Sequence, residues 1–188
     1  MTKLIAFNHI SLDGFVCGPQ GQMDWIKIND EIFAHVEQRI SLGKSAMYGR
    51  ITYNLMESYW PTAADKPNAT RHDKAHATWY NTSHKFVLSR SMKKIDKDNT
   101  TIVNDDITKQ VSEIKKSSGE HEILVFGSPT ATHTLMELGL IDGYWLFINP
   151  VVLGEGIPLF KNIKTKTELK LEASKEFECG VVEVRYSS

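Results

Sequence analysis

Along this chain, apolar residues spaced for strands alternate with apolar residues spaced for helices, and that alternation narrows the possible folds more than any other feature. Short strand-like runs fall at Leu4 to Ile10, Ser45 to Tyr48, Lys85 to Leu88, Thr100 to Val103 and His121 to Phe126. Between them, Ile28, Ile32, Val36 and Ile40 recur at helical steps, with Asn29 or Asp30 as N-cap and Gly43 at the end. Ile51, Leu55 and Met56 mark a second helix. Ile107, Val111 and Ile114 mark a third, opened by Asp105 or Asp106 and closed by Gly119. After Phe126, Ser128 suits an N-cap and Pro129 the first helical position, ahead of Leu135, Met136 and Leu138 and a stop near Gly139. Strand, turn and helix in repetition predict α/β architecture.

The C-terminal part breaks the pattern. Tyr144 to Leu153, Leu169 to Lys175 and Val181 to Tyr186 read as successive strands, the last two a hairpin around Glu178-Cys179-Gly180. Residues Pro61 to His84 are polar, contain Pro61, Pro67 and Asn68, and read as a mobile connection with one short helix. Ser11 to Pro19 reads as a long loop after the first strand.

Composition removes several classes of function. A chain of 188 residues suits about one domain, here 1–188, that buries roughly 70% of its unfolded surface without disulfides or structural metal. With 22 Lys plus Arg against 23 Asp plus Glu, there is no basic field to hold nucleic acid. Two distant cysteines, Cys17 and Cys179, give no zinc or disulfide spacing and read as thiols in a reducing compartment. No apolar run approaches the ~18 residues of a membrane span, and Asn8 and His9 interrupt the N-terminal run before it can resemble a signal peptide. A cytoplasmic protein without membrane or nucleic-acid partners is expected.

Three strand ends share one chemistry. Gly49-Arg50 with Thr52, Ser89-Arg90-Ser91 and Gly127-Ser128-Pro129-Thr130 place small or hydroxylated residues where a strand gives way. In a parallel sheet such turns lie on one edge, where helix N-termini attract anions and ligands of α/β sheets bind. Two arginines beside them suit a phosphorylated ligand, although each turn taken singly is also ordinary loop punctuation. No G-x-G-x-x-G with a following acidic ribose binder occurs. His72 and His76, four residues apart, lack a nameable third ligand, so no metal site is expected.

Taken in order, Ser11-Leu12-Asp13-Gly14-Phe15, Met47-Tyr48-Gly49-Arg50-Ile51-Thr52-Tyr53, Val87-Leu88-Ser89-Arg90, Val125-Phe126-Gly127-Ser128 and the run Asn149 to Phe160 resemble the dihydrofolate reductase superfamily, in its branch related to the reductase domain of riboflavin biosynthesis. The resemblance implies a three-layer α/β fold, with a central mostly parallel mixed sheet, helices on both faces and a C-terminal antiparallel hairpin. It also implies NADPH as cofactor and hydride transfer to a pteridine or ribosylaminopyrimidine-type heterocycle. By matching motif, Gly49, Arg50 and Thr52 would meet the diphosphate. Leu88, Ser89 and Arg90 would lie at the adenosine ribose and its 2′-phosphate, and Gly127, Ser128, Pro129 and Thr130 would supply a second diphosphate turn. Gly154 falls in the loop the family places near the nicotinamide. The family's usual Gly-Gly is Gly127-Ser128 here, and the zinc deaminase signature of bifunctional relatives is absent. Relatives often pair as homodimers, which the resemblance extends to this chain.

Substrate chemistry falls to Asp13 and Asp24, the carboxylates placed to orient a heterocycle or relay a proton, with turn formation and helix capping as competing roles. Trp25, Tyr59 and Trp60 are candidates to wall an aromatic pocket, or else to serve as core. A nucleotide-binding sensor that lacks turnover is the alternative function.

Overall fold

The computed structural model describes residues 1–163 and 166–188. In chain order the elements are β1 (Lys3–Ser11), β2 (Phe15–Cys17), α1 (Asp30–Ile40), β3 (Ser45–Gly49), α2 (Arg50–Tyr59), a 3-10 helix (Trp60–Asp65), α3 (Arg71–Thr82), β4 (His84–Leu88), β5 (Thr100–Val103), α4 (Ile107–Ser117), β6 (Glu122–Phe126), α5 (Pro129–Glu137), β7 (Gly143–Asn149), β8 (Ile157–Pro158), β9 (Lys170–Glu176) and β10 (Val182–Ser187). The fold is α/β, with a mostly parallel mixed central sheet, helices and a C-terminal antiparallel strand pair. The chain divides into two compact units, one of Met1–Thr2 with Asn29–Ile123 and one of Lys3–Ile28 with Leu124–Ser188.

In the first unit the strands run β5-β4-β3, all parallel, with Gly49 opposite Leu88. Met47, Tyr48 and Val87 are fully buried on these strands. Helix α1 follows the predicted stripe at Ile32, Val36 and Ile40, which are buried, while Ile28 precedes the Asn29 cap and is exposed; the Asn29 side chain accepts from the Ile32 amide. Near its other end, Arg39 makes a two-pronged contact with Glu122, at 2.7 Å on each arm. Asp106 caps α4 by accepting from Lys109.

The segment expected to be a mobile connection is instead structured. Thr70 and Asp73 form a reciprocal capping box that starts the twelve-residue helix α3. Rings then lock that helix in place: His72 stacks on Phe33 at 3.7 Å and His76 packs on Trp60 at 4.0 Å. A polar composition hid this because, apart from Ala77, the packing side chains are imidazoles, indoles and the Tyr80 phenol, which count as polar or ambiguous by hydropathy.

In the second unit the order is β6-β1-β7-β10-β9. Strands β1 and β7 are parallel with Ser11 opposite Asn149, while β7, β10 and β9 are antiparallel neighbours. The strand predicted over Tyr144 to Leu153 ends at Asn149, because Pro150 lacks the N–H needed to extend the ladder. Aromatic rings dominate the interior, where Phe7 stacks on the fully buried Trp145 at 4.6 Å. Glu183, also fully buried, accepts from Trp145 Nε1 at 2.6 Å and pairs with Arg185 at 2.8 Å. A small antiparallel ribbon, β2 with β8, has no counterpart in the sequence reading. Among the described residues no helix is long and apolar enough to cross a membrane.

Burial of His76 against Trp60 and Trp79 pulls its pKa from 6.5 to about 3, so the folded form holds the ring neutral where the unfolded chain would protonate it. Its contribution is complete above pH 6.5 and is lost as pH falls toward 3, at up to about 1.4 kcal/mol per pH unit. Urea unfolding across that window should show this decline, and His76→Phe should make the slope shallower.

Candidate functional site

Two strand ends of the first unit come out side by side because β3 and β4 are parallel and in register at Gly49 and Leu88. Gly49 is the N-cap residue of α2 and offers no side-chain bond to the first turn, which also holds no acidic residue. A helix N-terminus of this kind carries partial positive charge. Arg50 is exposed and Thr52 half-buried just inside it. On the neighbouring strand end, Ser89 is buried, its amide donates to Val103 and its hydroxyl oxygen accepts from the Met92 amide. Leu88 is half-buried and Arg90 exposed. Neither Arg50 nor Arg90 has a carboxylate partner among the described residues. Six of the residues assigned by sequence thus gather at one edge of this unit.

Tyr59 and Trp60 lie elsewhere. They stand at the far end of the ten-residue α2, about 14 Å along the axis from Arg50. Tyr59 donates to Asp73 and carries Lys66 Nζ over its ring at 3.4 Å. Trp60 packs on Tyr59 and His76. Both are engaged with the 3-10 and α3 segment, Trp60 half-buried and Tyr59 exposed, and neither gathers with Arg50. His72 and His76 belong to the same ring cluster, and no three potential metal-ligating side chains gather among the described residues.

In the second unit, β6 ends in an unusual turn. Gly127 and Ser128 are consecutive left-handed residues, with φ of 51° and 54°. The expected hydroxyl cap is absent: Ser128 Oγ folds back to donate to Phe126 O at 2.9 Å, because the left-handed backbone points the side chain away from the helix. Thr132 donates to Gly127 O instead, and Pro129 opens α5 as predicted. Thr130 is exposed in the first turn. A side-chain anion does not cap this terminus, and the space beside the Gly127 α-carbon is open, since an added Cβ would meet nothing within 4 Å.

Asp13 sits on the loop after β1 and ties two loops together, accepting from Leu153 N at 3.1 Å and Gly154 N at 2.8 Å. A hydrogen bond from Ser11, then those two amides, hold its carboxyl below the usual carboxylate range. Leu12 N donates to Val151 O and Leu159 N to Gly14 O, so the loop after β1 and the loop after β7 run as a laced pair. Asp24 is exposed, and the half-buried Trp25 donates its indole N–H to Gln22 O. Lys27 N donates to Asn149 Oδ1, which moors that segment to the end of β7.

Sequence reasoning passed over two residues at these strand ends, His9 and Asn149. Asn149 is fully buried. Its amide nitrogen donates to Phe147 O and Ile10 O at 3.1 and 3.3 Å and faces His9 Nδ1 at 3.5 Å. His9 stacks on Phe147 at 4.9 Å, and loss of solvation lowers its pKa to about 4. An Asn-Pro pair closing an apolar strand is the one sequence signal for this position, since a buried amide needs partners.

Three substitutions test these turns and loops. Asp13→Ala should raise amide hydrogen exchange at Leu153 and Gly154 while leaving β7 protected. Gly156→Ala places a Cβ 2.3 Å from Cys17 O and should disrupt the β2–β8 ribbon. Gly127→Ala meets no atom and should cost only the left-handed backbone penalty of about 1–2 kcal/mol in chemical denaturation.

Comparison with known proteins agrees with this architecture. The RibD C-terminal domain family matches residues 2–183. The protein YyaP of Bacillus subtilis (strain 168) is 33% identical over 180 residues, which is 94% of this chain and 90% of YyaP. A solved structure described as a putative riboflavin biosynthesis protein from Shewanella sp. PV-4 superposes with a TM-score of 0.76 at 19% identity, over 99% of this chain and 98% of its own. A pyrimidine reductase-like protein from Corynebacterium diphtheriae gives a TM-score of 0.67 at 15% identity, over 99% of this chain and 91% of its own. Those two likenesses are of fold, and they match the dihydrofolate reductase-like architecture that the ordered strand-end motifs imply. Family match and fold together establish that the chain belongs to the RibD C-terminal domain family.

Proposed function

We propose that this protein is an NADPH-dependent reductase that passes hydride to a pyrimidine- or pteridine-type heterocycle. The observation that carries the reading is the strand edge of the first unit. There, the α2 N-terminus starts beside Arg50, Arg90 stands on the adjoining strand end, and neither guanidinium has a carboxylate partner among the described residues. Unpaired arginines beside helical N–H groups suit a multiply phosphorylated ligand, and the 2′-phosphate adds charge-assisted bonds that NADH does not make. In this reading Gly49, Arg50 and Thr52 bind diphosphate, and Leu88, Ser89 and Arg90 bind the ribose and its phosphate. In the second unit, Gly154 lies in a loop that Asp13 holds in place. The bound cofactor supplies the hydride, and the protein supplies orientation and electrostatics.

One observation favours the second reading, a nucleotide-binding module without turnover. Both carboxylate oxygens of Asp13 already accept backbone N–H groups, so the carboxylate best placed by sequence is engaged in holding a loop. Asp24, exposed and preceding Trp25, keeps the proton-relay role open.

Thermal unfolding with NADPH and NADH tests the reading. At about 100 times its dissociation constant a ligand stabilises the fold by about 2.7 kcal/mol, and the shift should be larger with NADPH at equal concentration. Arg90→Ala should weaken NADPH binding by roughly 10- to 100-fold, the worth of a charged hydrogen bond, with little effect on NADH. Equal or absent shifts would refute the assignment of these arginines. Binding without oxidation of NADPH by any pterin or pyrimidine would select the sensor.

A further inference from the structure

His9 occupies a position that the reductase reading does not use. It lies on β1 two residues before the strand's end and shares a sheet face with Ser11, because side chains alternate along the strand. Parallel pairing sets it beside Phe147, with Ser11 beside Asn149, so His9 belongs to the carboxyl ends of β1 and β7, where α/β sheets take ligands.

Asn149 determines which ring nitrogen carries the proton. Its Oδ1 accepts from the Lys27 amide and its nitrogen faces two carbonyl oxygens, so the amide orientation is fixed by four neighbours. The nitrogen that faces His9 Nδ1 can only donate. A carboxamide nitrogen has no lone pair to accept with, so a proton on Nδ1 would face a group unable to take it, and the neutral ring carries its proton on Nε2. No partner for Nε2 occurs among the described residues, whereas the Nδ1 atoms of His72 and His76 are sealed in packing. Stacking on Phe147 at 4.9 Å restrains the ring, so the free N–H has a set direction.

We propose that His9 is a substrate-orienting residue whose Nε2–H donates to a ring nitrogen or carbonyl oxygen of a planar heterocycle at the carboxyl ends of β1 and β7. The inference rests on the reductase reading and adds to it the residue that orients the accepting ring. A neutral donor of this kind favours an uncharged acceptor edge over a phosphate, and its hydrogen bond survives across the neutral pH range because the ring stays unprotonated.

The experiment uses the full chain with its histidines labelled with nitrogen-15. NADPH is added to saturation, judged by thermal shift, and then 5,6-diaminouracil and 7,8-dihydropterin are added as probes. Side-chain nitrogen correlations should show His9 as the Nε2–H form at neutral pH, and that resonance should move with at least one probe. In turnover with that probe, His9→Phe keeps ring and fold but should raise KM about tenfold, the worth of one hydrogen bond, with a smaller change in kcat. His9→Gln should restore part of the loss. An Nδ1–H form, an Nε2 resonance unmoved by both probes in NADPH-saturated protein, or an unchanged KM in His9→Phe overturns the inference alone. No stabilisation of the wild-type chain by NADPH overturns the reductase reading and this inference with it.

Discussion

Parallel pairing is the constraint on which the rest of this structure depends. Two parallel strands cannot be joined by a tight turn, so the chain must leave each strand at one edge and return through a crossover to the other. In the first unit this brings Gly49 and Leu88 out in register, and with them Arg50, Ser89 and Arg90. In the second it brings Ser11 and Asn149 out together, and with them the loops that carry Asp13 and Gly154. Residues 39 or more positions apart in sequence become neighbours because the hydrogen-bond ladder leaves them no other place.

Loops that leave one edge must still be held, and here two polar side chains hold them, the buried Asn149 and the exposed Asp13. Asn149 joins β1, β7 and the segment at Lys27 through one carboxamide, and Asp13 joins the loops after β1 and β7 through one carboxylate. Both take up loop amides that have no ladder partner, Asn149 that of Lys27 and Asp13 those of Leu153 and Gly154. Inside the sheet, Glu183 is a carboxylate removed from water that is matched by an indole N–H and a guanidinium. This is why the second unit tolerates charge and amide in a core otherwise filled by Phe7, Trp145 and Phe147.

The strands and helices legible in the sequence were those whose signals are local. The buried stripe Ile32, Val36 and Ile40, the Asn29 cap and the Asp106 cap follow from spacing and side-chain chemistry within one helical turn. Helix α3 was obscured because, beside Ala77, its buried face is made by His76 and Tyr80, and its flanks by His72 and Trp79, whose packing depends on partners as distant as Phe33. Ser128 misled for a related reason. A serine before proline suits a cap, but the left-handed turn at Gly127 and Ser128 sends its hydroxyl to Phe126. The candidate site was legible as a set of strand-end motifs, while the separation of Tyr59 and Trp60 from Arg50 required the length and direction of α2.

By itself, the sequence determined the α/β class, the order of the strand-end turns and the family to which they belong, because periodicity and short motifs are properties of neighbouring residues. Only the tertiary structure decided that β3 and β4 are parallel and in register, that Asp13 is held by the amides of Leu153 and Gly154, and that a buried Asn149 faces His9. Those contacts join positions up to 141 apart. Their strength lies in burial and geometry, which no local pattern of residues encodes.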